Sequence, residues 1–390
     1  GRCGWSADAH LILSPLTVLS LSLCLSCFPS LIFTYAIKSK HVQTLSLKGK
    51  DVGGMRVPIS FSFTLFTGVL QPFIGHIADK QGKRKLILSF GFFVGASGFL
   101  LMAVAPSFWF ITVVSLLCGL GAAAYHPQAT AFVVGAYPED RGRMLGIHGW
   151  GGSVGHFLAP AIATVAIATL DWRWAMAIVA VPIIGAGSSL WAYLPESTPN
   201  PEAVLKGALS RPIVMAALAF GLLNTVLYSF VTFVVKMLVD EGWSEVRSGA
   251  TLTTMLFIGV IAQPVGGRIY DRFGGRRLFI CANLGTICSV LVFSQTSGAA
   301  SLVAVTAIAT FGFGLFPVSL AIASKIGGES RTGFTVGVVF GVSGLLGAAA
   351  RPIVGALAEA LGDIRLALGW TAVLAVAALP FAMQLETEES

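Results

Sequence analysis

The chain has 390 residues, 55% of them hydrophobic and only 11% charged, with a formal net charge of +7 and a strongly positive mean hydropathy. Soluble domains carry about 25% charged residues, so the composition argues against two or three soluble domains. The basic residues sit in short links between apolar runs rather than on one polar face, which argues against nucleic-acid binding.

The first residue is Gly rather than Met, so the original start is expected to be missing. The apolar run from Leu11 to Ile37 is too long for a cleavable signal and reads as a first spanning helix. Apolar stretches place twelve helices at about 12–36, 57–78, 85–105, 107–135, 143–169, 172–194, 211–238, 247–269, 277–297, 299–325, 331–357 and 364–385. Their lengths match the ~30 Å hydrocarbon core of a bilayer. The expected fold is therefore all-α and polytopic, in two six-helix bundles at 1–194 and 211–390, with 195–210 ("PESTPNPEAVLKGALS") as a cytoplasmic linker.

Lys/Arg bias puts both termini inside. Lys80, Lys83, Arg84, Lys85, Arg141, Arg143, Lys206, Arg211, Arg268, Arg272, Arg276, Arg277, Lys325 and Arg331 then face the cytoplasm, against Arg173, Arg247 and Arg365 outside. Residues 38–56, with Lys38, Lys40, Lys48, Lys50 and Arg56, run against this pattern.

The chain repeats itself. A shift of 192 residues carries Gln71-Pro72, Gly75, Ile77, Asp79, Gly82, Arg84 and Leu86 onto Gln263-Pro264, Gly267, Ile269, Asp271, Gly274, Arg276 and Leu278. It also carries Gly149, Gly152, Gly155 and Pro160 onto Gly341, Gly344, Gly347 and Pro352, and Asp171 and Arg173 onto Asp363 and Arg365. One offset serving three regions implies a duplicated six-helix unit. An even number of helices keeps both copies in the same orientation, so a pseudo-twofold axis along the membrane normal is expected.

The link "GHIADKQGKRKLI" (75–87) shows the chemistry of the repeat. Gly75 permits close helix approach. Asp79, at the cytoplasmic edge, can meet a helix N-terminus or an arginine. Gly82 supplies a turn, and Lys83, Arg84 and Lys85 hold the link inside. Basic residues alone anchor topology, but acidic residues contribute little to orientation, so Asp79 points to a charged latch. Gly75, Asp79, Gly82 and Arg84, with Gly267, Asp271, Gly274 and Arg276, are the expected gating set.

This GxxxD(K/R)xG(K/R)(K/R) link, with its degenerate second copy, resembles the signature of the major facilitator superfamily. The resemblance implies two six-helix bundles around a central cavity that opens alternately to either side. "GLGAAAYHPQATAF" (119–132) and "GIHGWGGSVGHFLAPAI" (146–162) are similar to the fosmidomycin-resistance branch, which is associated with drug export against a proton gradient.

Past residue 56 the helices hold almost no carboxylates. Ionisable groups at membrane depth are costly and face cavities or partners. His126 precedes Pro127 and is the candidate proton carrier; a neutral histidine bonded to a carbonyl is the competing reading. His148 and His156 share a face with Gly149, Gly152 and Gly155, and this small-residue stripe, like Gly341, Gly344 and Gly347, reads as helix packing. Arg351 suits a carboxylate or phosphonate, with snorkelling as its rival reading. Asn224 and Tyr228, one turn apart, are candidate cavity residues, and Lys236 is expected at the interface. His126, Arg351, Asn224, Tyr228 and His156 form the expected substrate and proton pathway.

The function expected is secondary active transport, as proton-coupled export of a small anionic or neutral organic compound or drug. Proton-coupled uptake of an organic anion is the alternative within transport. A membrane enzyme or a sensor is the alternative of another class. No metal cluster, activated nucleophile, P-loop or soluble domain stands out to support that last reading. The six cysteines, including Cys24 and Cys27 in a CxxC without redox-type surroundings, suggest neither disulfide nor metal. The expected partners are a small-molecule substrate, protons and the lipid bilayer, with no cofactor and a monomeric state, in the plasma (inner) membrane.

Overall fold

The computed structural model describes residues 52–170, 172–200 and 209–385, and all regular structure among them is helical. The helices are α1 (Val52–Gln81), α2 (Arg84–Ala103), α3 (Phe108–Ala123), α4 (Tyr125–Ala136), α5 (Arg141–Thr169), α6 (Trp172–Tyr193), α7 (Arg211–Asp240), α8 (Glu245–Phe273), α9 (Gly275–Gln295), α10 (Gly298–Leu361), α11 (Ile364–Gly369) and α12 (Ala372–Ala382). The helix expected at 12–36 lies outside the described residues.

Nine helices among the described residues are long and apolar enough to cross a membrane. Their two faces differ in what they touch rather than in polarity. On α2, Leu88, Phe92, Ala96, Phe99 and Met102 recur at helical spacing and are buried. Phe90, on the opposite face, is 62% exposed. A soluble protein hides such a surface, whereas lipid is a good solvent for it. Trp109, Trp174 and Trp370 stand exposed at helix ends, as amphipathic rings do near headgroups.

Local chemistry sets the ends. The Ser107 and Ser244 side chains accept from Phe110 N–H and Arg247 N–H and start α3 and α8. Asp363 accepts from Arg365 N–H at 2.7 Å and Leu366 N–H at 3.3 Å to start α11. The stretch expected as one helix at 107–135 is interrupted at Ala124. Pro127 has no N–H to return to the Ala123 carbonyl, so the ladder breaks there. In α10 the two expected helices 299–325 and 331–357 run on through non-helical Gly328 (φ 58°) and Arg331 (φ −139°). The kink leaves spans Gly298–Gly328 and Ser330–Leu361.

The helices gather into two compact units. One holds the described residues up to Ala136, Gly151–Leu205 and the short stretch Gly327–Gly337; the other holds Tyr137–Trp150, Lys206–Ile326 and the described residues from Val338. In the first, α2 packs against α6 and α3, and α1 against α3. In the second, α12 packs against α7 and α9. The start of α5 thus belongs with the second unit, and the start of the second α10 span with the first.

Both units carry the same arginine staple. Arg173 donates at 2.9 Å to the carbonyls of Ala103 and Ala105 at the end of α2, with its guanidinium over the Trp172 ring. Arg365, 192 positions on, donates to the carbonyls of Phe293 and Thr296 at the end of α9, lies over the Phe293 ring, and pairs with Glu241 at 2.7 Å. Each supplies donors and positive charge to carbonyls that lack intrahelical partners.

Candidate gate and substrate-binding residues

Asp79 closes the last turn of α1, with its side chain fully buried. One oxygen accepts from Gly333 N–H at 3.1 Å and the other from Phe334 N–H at 2.8 Å. These amides open the second span of α10, just after non-helical Arg331. Arg84 completes the charge balance, its Nη2 2.8 Å from Asp79 Oδ1. A carboxylate buried on its own would be costly; here two helix-terminal donors and a guanidinium compensate it.

The second unit repeats the arrangement. Asp271, in the last turn of α8, accepts from Gly142 N–H at 2.9 Å and Arg143 N–H at 2.7 Å, at the start of α5. Unlike Asp79 it is exposed, and among the described residues it has no ion pair. Each aspartate thus acts as an N-cap supplied from another helix.

Glycines let these helices come so close. A methyl group on Gly75 would fall on the Gly333 carbonyl oxygen, and one on Gly267 would fall on that of Gly142. A turn further on, a methyl on Gly337 would lie 2.6 Å from the Gln71 carbonyl, and one on Gly146 2.9 Å from that of Gln263. The partners Gly333 and Gly337, and Gly142 and Gly146, are GxxxG pairs, the sequence signal for this contact. Gly82 (φ 66°) and Gly274 (φ 81°) take the left-handed turn that follows each aspartate. Arg276, the counterpart of Arg84, is half-buried at the start of α9.

The polar residues fall into two groups. In the first unit, His126 is the second residue of α4, and its ring centroid lies 5.0 Å from that of Tyr125. Tyr125 in turn meets Phe92 edge-on, so the histidine sits on a packed aromatic base at the α3–α4 break. His76, one turn before Asp79, sets its ring edge-on to Phe334, the residue whose amide Asp79 holds. No sequence pattern singles out His76, because its partner ring lies hundreds of residues away.

In the second unit, α7 and the second span of α10 bring together Asn224, Tyr228, Ser343 and Arg351. Asn224 Nδ2 donates to Ser343 Oγ at 2.8 Å. The Arg351 guanidinium carbon lies 5.8 Å from the centre of the Tyr228 ring. Positions 343, 347 and 351 share one helix face. Between the two pairs Gly347 is buried, yet among the described residues nothing lies within 4 Å of where its Cβ would be. Arg351 Nε is buried without a hydrogen-bond partner among the described residues.

Among the remaining positions, Gly149 leaves room for the Gln263 amide and lies near the Phe316 ring. Gly155 and Gly341 are buried, while Gly152 and Gly344 are half-buried. His148 is buried in α5. The His156 side chain lies outside the described residues. Lys236 pairs with Asp240 at the exposed end of α7. The described cysteines Cys118, Cys281 and Cys288 are free, and no group of metal-ligand type occurs among the described residues.

Regular structure that is all helical among the described residues, many apolar spans, a duplicated signature link and paired aspartate caps define a polytopic membrane transporter. A family model described as "Major Facilitator Superfamily" matches residues 19–338 and again 218–388. The chain belongs to the Major Facilitator Superfamily, a family of secondary transporters, and is an integral multi-pass membrane protein. It is 28% identical over 329 residues to the MFS-type transporter YfnC of Bacillus subtilis, covering 78% of each chain. It is 25% identical over 317 residues to the fosmidomycin resistance protein of Escherichia coli, covering 77% of each. Its fold matches the crystal structure of the transporter FucP in the outward conformation, with TM-score 0.77 and 16% identity, over 97% of this chain and 100% of that one.

Proposed function

We propose that the protein exports a small organic compound, anionic or neutral, in exchange for protons, by alternating access between two six-helix halves joined by the 195–210 linker, with both termini cytoplasmic. The observation that carries the substrate side is the Arg351 site. Arg351, half-buried with an unbonded Nε, lies beside the Tyr228 ring, on the helix face that also carries Gly347 and Ser343, the latter bonded to Asn224. Guanidinium is the side chain best suited to planar, bidentate binding of carboxylate or phosphonate, and desolvation strengthens that bond. The similarity to the fosmidomycin resistance protein supports export of such a compound.

His126 is the proton carrier in this reading. It is a titratable group at membrane depth, next to a helix break that frees a backbone carbonyl. Asp79 and Asp271, with Gly75, Gly82, Arg84, Gly267, Gly274 and Arg276, form the inner gate. Their caps hold the starts of α5 and of the second α10 span in one state and release them in the other. Gly149, Gly152, Gly155, Gly341 and Gly344 serve helix packing, whereas Gly347, expected to do the same, has open space beside it among the described residues, and the protein works as a monomer.

The experiment is flux in sealed vesicles under an imposed pH gradient, comparing phosphonates, sugars and lipophilic drugs. Uptake into inside-out vesicles that depends on an acid interior supports export. Flux indifferent to the gradient for every compound overturns proton coupling. Flux of lipophilic cations alone overturns the anion-or-neutral reading.

A further inference from the structure

The linker after α6 does not leave the structure as a free connection. From Leu194 the chain turns back over the Gly82 turn between α1 and α2, within the first unit. Ser197 Oγ donates to the Gly82 carbonyl at 2.6 Å and accepts from Arg84 N–H at 3.4 Å. Three residues on, Asn200 N–H donates to the Asp79 carbonyl at 3.3 Å. Gly82 also has no room for a side chain, since a Cβ there would press on the backbone of Ser197, Thr198 and Pro199. One short segment without regular structure therefore touches all three residues that define the signature link, Asp79, Gly82 and Arg84.

We infer that residues 197–200 are a strap that sets the Gly82 turn, and that Ser197 is a positioning residue for the Asp79–Arg84 pair. The physical need is specific. Arg84 opens α2, where the first N–H groups have no intrahelical acceptor, and Lys83 at the N-cap offers no side-chain bond. Ser197 does the N-cap's work from a distance. One hydroxyl serves the acceptor before the turn and the donor after it, which fixes the angle at which Arg84 reaches back to Asp79. Pro199 has no N–H and a fixed φ, so holding the segment in one conformation costs less chain entropy. The linker thus couples the end of α6 to the α1–α2 turn. This role rests on the proposed gate for its effect on transport, but not for its existence.

Backbone amide exchange of the full chain in lipid nanodiscs tests it, comparing wild type with Ser197→Ala, Ser197→Thr and Asp79→Asn. Ser197→Ala is expected to speed exchange at residues 82–86 by about threefold to tenfold, the range for losing a neutral hydrogen bond. Ser197→Thr, which keeps the hydroxyl, restores protection, a rescue that a space-filling role would not produce. Exchange at 82–86 unchanged in Ser197→Ala, or raised equally in Ser197→Thr, overturns the strap. Asp79→Asn is read separately through cysteine labelling at the helix ends beside Asp79. No effect there overturns the gate while leaving the exchange response of Ser197→Ala to decide the strap.

Discussion

Asp79 and Asp271, 192 residues apart, each hold two successive amides at the start of another helix, but only Asp79 is buried and paired with an arginine. The duplicated link therefore has unequal copies. Exposure to water and salt weakens a charged bond, whereas burial strengthens it and makes its loss more costly.

That inequality predicts an order of effects. Asp79→Asn keeps the shape but loses the charge facing Arg84 and the α10 amides. It is expected to raise labelling of a cysteine placed at the helix ends beside Asp79 by about tenfold or more, since hydrogen bonds to charged groups contribute about 1.5–3 kcal/mol. Asp271→Asn is expected to raise labelling beside Asp271 by less than about fivefold, in line with a helix-end charge of about 0.3–1 kcal/mol. Equal effects would mean that burial and Arg84 are immaterial.

The glycine contacts predict a steric counterpart. Gly75→Ala puts a methyl on the Gly333 carbonyl, and neither backbone can yield without moving a helix. Overpacking costs about 1–3 kcal/mol, so the same labelling is expected to rise by roughly five- to a hundredfold. Gly347→Ala, where the methyl enters open space, is expected to leave labelling unchanged and to alter substrate affinity instead.

At the polar site, Arg351→Lys keeps the charge but loses the planar fork. Affinity for an anionic substrate is expected to fall about tenfold, and about a hundredfold in Arg351→Gln, measured by binding to purified protein. A loss confined to Arg351→Gln would reduce the arginine to a source of charge.

His126→Gln is expected to abolish flux driven by a pH gradient while sparing substrate exchange at equal pH on both sides, because exchange needs no net proton movement. The two assays on the same vesicles separate coupling from binding. Intact gradient-driven flux would remove His126 from the mechanism.

The two staples are also unequal, but here it is the second copy that carries an ion pair among the described residues, Arg365 with Glu241. Arg365→Gln gives up the α9 carbonyls and leaves Glu241 unpaired, whereas Arg173→Gln gives up the α2 carbonyls and the stacking on Trp172. Thermal unfolding in detergent is expected at a lower temperature for both, with Arg365→Gln costing about 2–3 kcal/mol and the larger shift.

Much of this is written locally in the chain. The apolar runs define the spans because backbone groups in lipid must bond within their own segment. The 192-residue shift exposes the duplication, and the charge pattern marks Asp79 as more than an anchor. Asn224, Tyr228 and Arg351 are legible as polar residues at membrane depth, whereas the break at Ala124 is not, although Pro127 explains it once seen. Other features depend on distant pieces of chain meeting. No local pattern names the amides of Gly333 and Phe334 as the partners of Asp79, or the hydroxyl of Ser197 as the clasp of the Gly82 turn. The register is another case. The aspartates stand 192 apart, but the glycines they meet, Gly142 and Gly333, stand 191 apart, so the later glycine stripes do not superpose as the shift suggests. Periodicity and solvation act within one segment and can be read there; a hydrogen bond across hundreds of residues exists only once packing has chosen which backbones touch.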